Sequence, residues 1–170
     1  MNTRHAIVGT VLGEITLVAT DDAVVGVYFA HHWTRPSRDG FGPEADPGDD
    51  VLLGRARSQL DEYLSGERTS FDLPTAATGD PFEQRVWAML KEIPFGETAT
   101  YKDLAGKLGD SSLAWAVGQA VGHNPLSIIV PCHRVVGKNG KLTGYAGGLK
   151  RKQFLLDLEE PAVVKAGRLF

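Results

Sequence analysis

The sequence predicts an α/β (α+β) fold: a small N-terminal antiparallel sheet domain, then a mainly helical C-terminal domain carrying a helix-turn-helix. Three observations predict it. The first thirty residues alternate like strands rich in β-branched and aromatic side chains. Two capping-box patterns, Asp80-Pro81-Phe82-Glu83 and Thr100-Tyr101-Lys102-Asp103, open helices in the second half. Between the halves, Thr75 to Gly79 reads as a linker, which divides the chain into domains 1–78 and 79–170.

In the first half, Ala6-Ile7-Val8, Ile15-Thr16-Leu17-Val18 and Val24-Val25-Gly26-Val27-Tyr28-Phe29 are the predicted strands of a meander. Gly13 and Asp21-Asp22 supply the turns. Thr34 to Asp50, with three Pro and three Gly, reads as a loop. Leu53, Ala56, Leu60, Tyr63 and Leu64 fall at spacings of three and four, which predicts a helix over 51–64 closed by Gly66. Phe71-Asp72-Leu73 is read as one more short strand.

In the second half, a helix is predicted from Asp80 to about Ile93, stopped by Pro94-Phe95-Gly96. A short helix follows from Thr100 to Leu108, then a turn at Gly109-Asp110-Ser111. Ser111 or Ser112 is expected to cap a further helix reaching Gly122. Two short helices joined by a tight glycine-containing turn are the helix-turn-helix pattern, whose second helix enters a DNA groove in proteins that bind DNA. The apolar run Ile128-Ile129-Val130 is read as a buried strand, followed by Pro131-Cys132-His133-Arg134, a glycine-rich loop from Gly137 to Gly148 and a last helix from Leu149 to about Glu159.

The net charge of −3 argues mildly against nucleic acid as a partner, but the charge is uneven. Residues 1–79 carry 6 Lys/Arg against 12 Asp/Glu; between Thr98 and Lys152 the count is 8 against 2. A basic region of that kind can neutralise phosphates. No apolar run approaches the ~20 residues of a membrane span, no signal peptide is visible at the N-terminus, and no membrane partner is expected. The single cysteine excludes an internal disulfide and a cysteine-based zinc site, so a reducing, cytoplasmic setting is expected, and no residue stands out as a metal ligand.

That cysteine, Cys132, carries the chemistry. A lone cysteine after an apolar run is ordinarily a small core residue. Here Pro131 fixes the backbone before it, His133 follows it, and a histidine near a thiol can take the proton that must leave to make the reactive thiolate. Adjacent residues of a strand point to opposite faces, so a Cys132–His133 relay requires a bend at Pro131 or a water between the two side chains.

The run Ile129-Val130-Pro131-Cys132-His133-Arg134-Val135 resembles the active-site signature of the O6-alkylguanine-DNA alkyltransferases. Gly122-His123-Asn124-Pro125 upstream, Gly144-Tyr145-Ala146-Gly147-Gly148-Leu149 downstream, Phe82-Glu83-Gln84-Arg85-Val86-Trp87 and Ile93-Pro94-Phe95-Gly96-Glu97-Thr98 match the family in order and spacing. The resemblance is dense from Asp80 to Glu159 and looser over residues 4–72, where it implies a small RNase H-like sheet domain. It further implies DNA repair by direct transfer of an alkyl group, typically methyl, from O6-alkylguanine to Cys132, once per molecule and without a cofactor. His133 would be the base acting through a water, and Glu159 would orient it. Tyr101 would assist the departing base, and Asn124 would hold the turn that leads into the active-site strand. The carbonyls of Cys132 and Val135 would read the guanine amino group, and the amide of Ala146, between Tyr145 and Gly147, would meet O6.

The family flips the damaged nucleotide out of the duplex from the minor groove and fills the gap with a side chain. Its recognition helix usually carries an arginine there; this chain has Trp115-Ala116-Val117-Gly118 instead. Trp115 can stack where the base leaves, but it cannot supply a guanidinium fork. The DNA contacts expected are Trp115, Ala116, Gly118 and Gln119 on that helix, with Lys102, Lys107 and Lys138 at the rim. A monomer is expected, with clustering along double-stranded DNA left open. Because of Trp115, two other readings stand beside the first: a recognition module for alkylated bases without chemistry, and an acceptor of alkyl groups from unusual or small-molecule adducts.

Overall fold

A computed structural model of the chain describes residues 2–30 and 38–161. Strands β1 (Arg4–Thr10), β2 (Gly13–Ala19) and β3 (Val24–Phe29) form the expected antiparallel meander in the order β1-β2-β3. Ala6, Val8, Ile15, Leu17, Val27 and Phe29 lie buried on one face. Helix α1 (Val51–Leu64) covers that face with Leu53, Ala56, Leu60, Tyr63 and Leu64, the periodic set read from the sequence. Each fully buried Leu contributes about 2 kcal/mol, more than the ~1 kcal/mol that Gly54 costs the helix. Asp50 caps α1 by accepting from the amide of Leu53 at 3.0 Å, and it is also paired with Arg4.

The other face of the sheet is closed by part of the predicted loop: Phe41, from a short 3-10 turn at Arg38–Phe41, stacks on Tyr28. Residues 34–37 of that loop lie outside the described residues. The short strand expected at Phe71–Leu73 is absent. Gln59 takes both backbone groups of Asp72 with its side-chain amide (2.9 and 2.8 Å), so the segment is tied to α1. Thr75, read as linker, instead bridges Val24 at the sheet edge.

The helical half begins at α2 (Pro81–Lys91), whose capping box between Asp80 and Glu83 is present. It ends two residues before the expected Ile93, since Pro94 disfavours helical backbone in the residue before it; Ile93 is nevertheless buried. β4 (Ala99–Thr100) leads into α3 (Tyr101–Lys107), which carries the second capping box. The turn after α3 is capped by Asp110, not by Ser111 or Ser112. The Asp110 carboxylate accepts from the amide and hydroxyl of Ser112, and a 3-10 turn (Ser111–Leu113) intervenes before α4 (Ala114–Gly122). Trp87 pins α2 to α4 by donating to the carbonyl of Ala120 at 2.8 Å. β5 (Val135–Val136) pairs in parallel with β4, and α5 (Leu149–Glu159) closes the domain.

The two halves share one hydrophobic core. The amide of Val27 in β3 donates to the carbonyl of Pro125 at 2.8 Å. Phe29 packs edge-on against Tyr145. A Cβ on Gly147 would fall 2.4 Å from the Phe29 ring, so only glycine allows the sheet domain to come this close to the glycine-rich loop.

Candidate active site

The segment leading to Cys132 is not a strand. Leu126 to Val130 forms a compact loop in which Ile128 adopts φ +73°, a conformation that a β-branched residue enters only under constraint. The constraint is Asn124, which is buried, accepts from the amide of Leu126 at 3.0 Å and donates to the carbonyl of Val130 at 2.9 Å. Asn124 thus closes the loop that delivers the cysteine. Cys132 and His133 lie in a 3-10 turn (Cys132–Arg134) and not on a strand, so the backbone bends immediately after Pro131. The apolar run misled because its apolar residues pack inward from a loop.

Cys132 is 5% exposed. Burial pushes its thiol up, while the Asn124 amide, the Lys152 ammonium and the Tyr145 hydroxyl act the other way. The resting group is therefore a thiol that must lose its proton to react, with Asn124, Lys152 and Tyr145 offsetting part of the cost that burial places on the thiolate.

His133 is fully buried. Burial, helped by the charges of Arg134 and Lys152, holds its imidazole well below the ordinary value, so the ring is neutral. Nε2 meets Glu159 at 2.8 Å. Against a carboxylate that nitrogen must carry the proton, which leaves Nδ1 as the bare, basic nitrogen. Nδ1 is buried with no hydrogen-bond partner among the described residues.

Glu159, read from the sequence as the orienting carboxylate, is 2% exposed. Arg134 grips it with a two-point fork, Nε to Oε1 at 2.7 Å and Nη2 to Oε2 at 2.9 Å, and donates its third arm to the carbonyl of Ile93 at 2.6 Å. Burial raises the Glu159 carboxyl to about 8, and the Arg134 fork favours its ionised form. We take the carboxylate to be ionised, because it faces donors on both oxygens. Tyr63 from α1 also donates to Oε2.

The remaining candidates divide into two groups. Tyr101 is half-buried at the start of α3, accepts from the Thr143 hydroxyl at 3.3 Å and lies within electrostatic reach of Cys132. Tyr145, Ala146 and Gly147 are buried in the glycine-rich loop, with the Tyr145 hydroxyl beside Ser127 and Cys132. Val135 is buried in β5 immediately after the turn. The second group lies on the surface. Trp115 is 76% exposed, and Gln119, one turn further along α4, is exposed with it. Ala116 is half-exposed, and Gly118 packs near the Tyr101 ring, so α4 connects to the site. Lys102, Lys107 and Lys138 are exposed.

Sequence reasoning missed Arg134, Tyr63 and Lys152. Arg134 stands in the signature run, where nothing local marks it as the partner of Glu159. Lys152 is completely buried, its ammonium pushed down to about 8 by burial and donating to the carbonyl of Thr143 at 2.8 Å. A lysine in a basic run gives no sign of this. Among the described residues, no cluster of three or more His, Cys, Asp or Glu is placed to hold a metal, and no helix is long and apolar enough to cross a membrane.

A buried thiol, a neutral histidine and a buried carboxylate come together in one domain with the exposed face of α4, and the comparisons give that arrangement its family. The family model described as 6-O-methylguanine DNA methyltransferase, DNA binding domain, matches residues 81–161, and its ribonuclease-like domain matches residues 3–77. The chain belongs to this family of methyltransferases. The methylated-DNA--protein-cysteine methyltransferase of Mycobacterium tuberculosis is 44% identical over 149 residues, covering 88% of this chain and 87% of the relative. The constitutive enzyme of that name from Bacillus subtilis is 40% identical over 155 residues, covering 88% and 91%. The crystal structure of Mycobacterium tuberculosis OGT in complex with DNA superposes with a TM-score of 0.83 at 40% identity, covering 95% of this chain and 97% of that one. The methyltransferase family and its two-domain α/β fold thus agree with the reading from the sequence.

Proposed function

We propose that this protein repairs alkylated DNA by moving the alkyl group of O6-alkylguanine onto Cys132, once per molecule. The observation that carries this reading is the pairing of a buried thiol with a neutral histidine whose Nε2 is committed to Glu159 and whose Nδ1 has no partner among the described residues. In the proposed step Sγ attacks the alkyl carbon, an S–C bond forms and the C–O6 bond breaks. The electron pair leaves on the guanine oxygen. The thiol proton passes through a water to Nδ1 of His133, and Glu159 stabilises the imidazolium. Tyr101 donates to the departing base, the carbonyls of Cys132 and Val135 accept from its amino group, and the Ala146 amide meets O6, with Tyr145 and Gly147 shaping the loop. The thioether product has no leaving group, so the protein is spent.

DNA binds along α4 in the minor groove, through Trp115, Ala116, Gly118 and Gln119, with Lys102 and Lys107 against phosphates. Trp115 fills the space of the flipped nucleotide by stacking. An indole 76% exposed on a helix is a large apolar surface open to a partner, and this supports the reading. The acting form is a monomer with domains 1–78 and 79–170, in the reducing cytoplasm where its thiol stays free.

The test is a titration of a duplex carrying a single O6-methylguanine with increasing protein. The reading predicts restored guanine that rises linearly and stops at one equivalent per protein. Turnover beyond one equivalent contradicts the single-use acceptor, and no restoration despite tight binding supports lesion recognition without chemistry.

A further inference from the structure

The catalytic carboxylate is held from both domains. Three donors converge on Oε2 of Glu159: Nε2 of His133 at 2.8 Å, Nη2 of Arg134 at 2.9 Å, and the hydroxyl of Tyr63. His133, Arg134 and Glu159 belong to the helical domain. Tyr63 stands in the last turn of α1, in the sheet domain, 96 residues from Glu159 along the chain. It is 1% exposed, and its ring is fixed by Phe71 (centroids 5.2 Å apart) and by Phe95 (6.2 Å, edge-on), the latter also lying under the Arg134 guanidinium at 5.7 Å. Its hydroxyl lies 3.5 Å from Nε2 of His133, so the phenol and the imidazole approach the same oxygen side by side.

We propose that Tyr63 is a positioning residue of the alkyl-transfer relay, through which the sheet domain holds the Glu159 carboxylate in register with His133. The proposal rests on the reading of His133 as the base. A donor on Oε2 spreads the carboxylate charge, which limits how strongly Glu159 draws a second proton onto His133 and so keeps Nδ1 unprotonated toward low pH. The groups facing the imidazole are Glu159 and Lys152 from α5, Arg134 and Cys132 from its own turn, and Tyr63 from α1. Among these Tyr63 alone comes from the other domain.

The experiment is Tyr63→Phe in the full-length protein, which retains the ring against Phe71 and Phe95. The rate of Cys132 alkylation is read from pH 5 to 8 with two probes, a duplex carrying O6-methylguanine and iodoacetamide. The expected result is an acid limb moved up by on the order of one pH unit, with a rate roughly tenfold lower at the acid end. A fluorinated tyrosine placed at position 63 is a stronger donor of similar shape and moves the limb down. Two outcomes overturn the proposal: an unchanged profile, or a loss equal at every pH, which marks a packing role alone. If iodoacetamide shows the shift while the duplex is not repaired in either protein, the relay stands and the proposed substrate fails. Repair that proceeds with identical profiles in both proteins removes Tyr63 and leaves the substrate in place.

Discussion

The proposed relay and the proposed recognition helix are opposite solutions within one domain. His133 and Glu159 are 0% and 2% exposed and every oxygen of the carboxylate is engaged, whereas Trp115 on α4 is 76% exposed. The first region is built before substrate arrives: its geometry is locked by Arg134 and by contacts across the domain interface. The second is left open for a partner. A buried network fails when one member is removed, because the remaining charge is stranded. An exposed helix face tolerates replacement and changes rate or affinity by modest factors. Thiol chemistry and DNA engagement should therefore separate under mutation.

The largest effect expected is from Cys132→Ser. Alkyl uptake should vanish while affinity for methylated duplex changes by no more than about twofold, since the thiol is buried and the proposed DNA contacts are exposed; comparable loss of binding in a shift assay contradicts the separation. Breaking the relay comes next. Arg134→Met strands the Glu159 carboxylate and should cost about 3–5 kcal/mol in urea unfolding. Glu159→Gln should slow transfer roughly 100-fold in single-turnover kinetics with DNA affinity retained.

Changes on α4 should be smaller. Trp115→Ala should slow repair of duplex by about tenfold, the worth of one stacking contact. Trp115→Arg should raise the rate on duplex more than on free O6-methylguanine; equal changes on both substrates would remove position 115 from the flipping step.

The smallest effect is on how stability depends on pH. The His133 imidazole is held below its ordinary value, so below pH ~6.5 the unfolded chain takes up a proton that the folded one does not. Stability should fall by about 1.4 kcal/mol per unit as pH drops through that window. His133→Gln should lack that portion of the loss in paired urea melts at pH 7 and 5.5.

Much of this was legible in the sequence where local physics decides. The meander alternates visibly, Leu53 to Leu64 keeps helical spacing, and the capping boxes at Asp80 and Thr100 are strictly local signals. The site was legible through the residues around Cys132. What escaped depends on partners distant in sequence. Phe71–Leu73 has strand-like composition, but Gln59 had already taken the backbone groups of Asp72. Ile128–Val130 is apolar like a strand, but Asn124 folds it into a loop. Tyr63 reads as one more apolar position of α1, and nothing local tells that its hydroxyl reaches a carboxylate in the other domain.

The most direct test of the account is to locate the transferred group. Wild-type protein is incubated with duplex carrying one O6-methylguanine, its intact mass is taken, and the peptide containing Cys132 is mapped. The account predicts one added methyl group, placed on Cys132, with guanine restored in the DNA. A free Cys132 thiol beside unrepaired DNA, or a methyl group on any other residue, would contradict it.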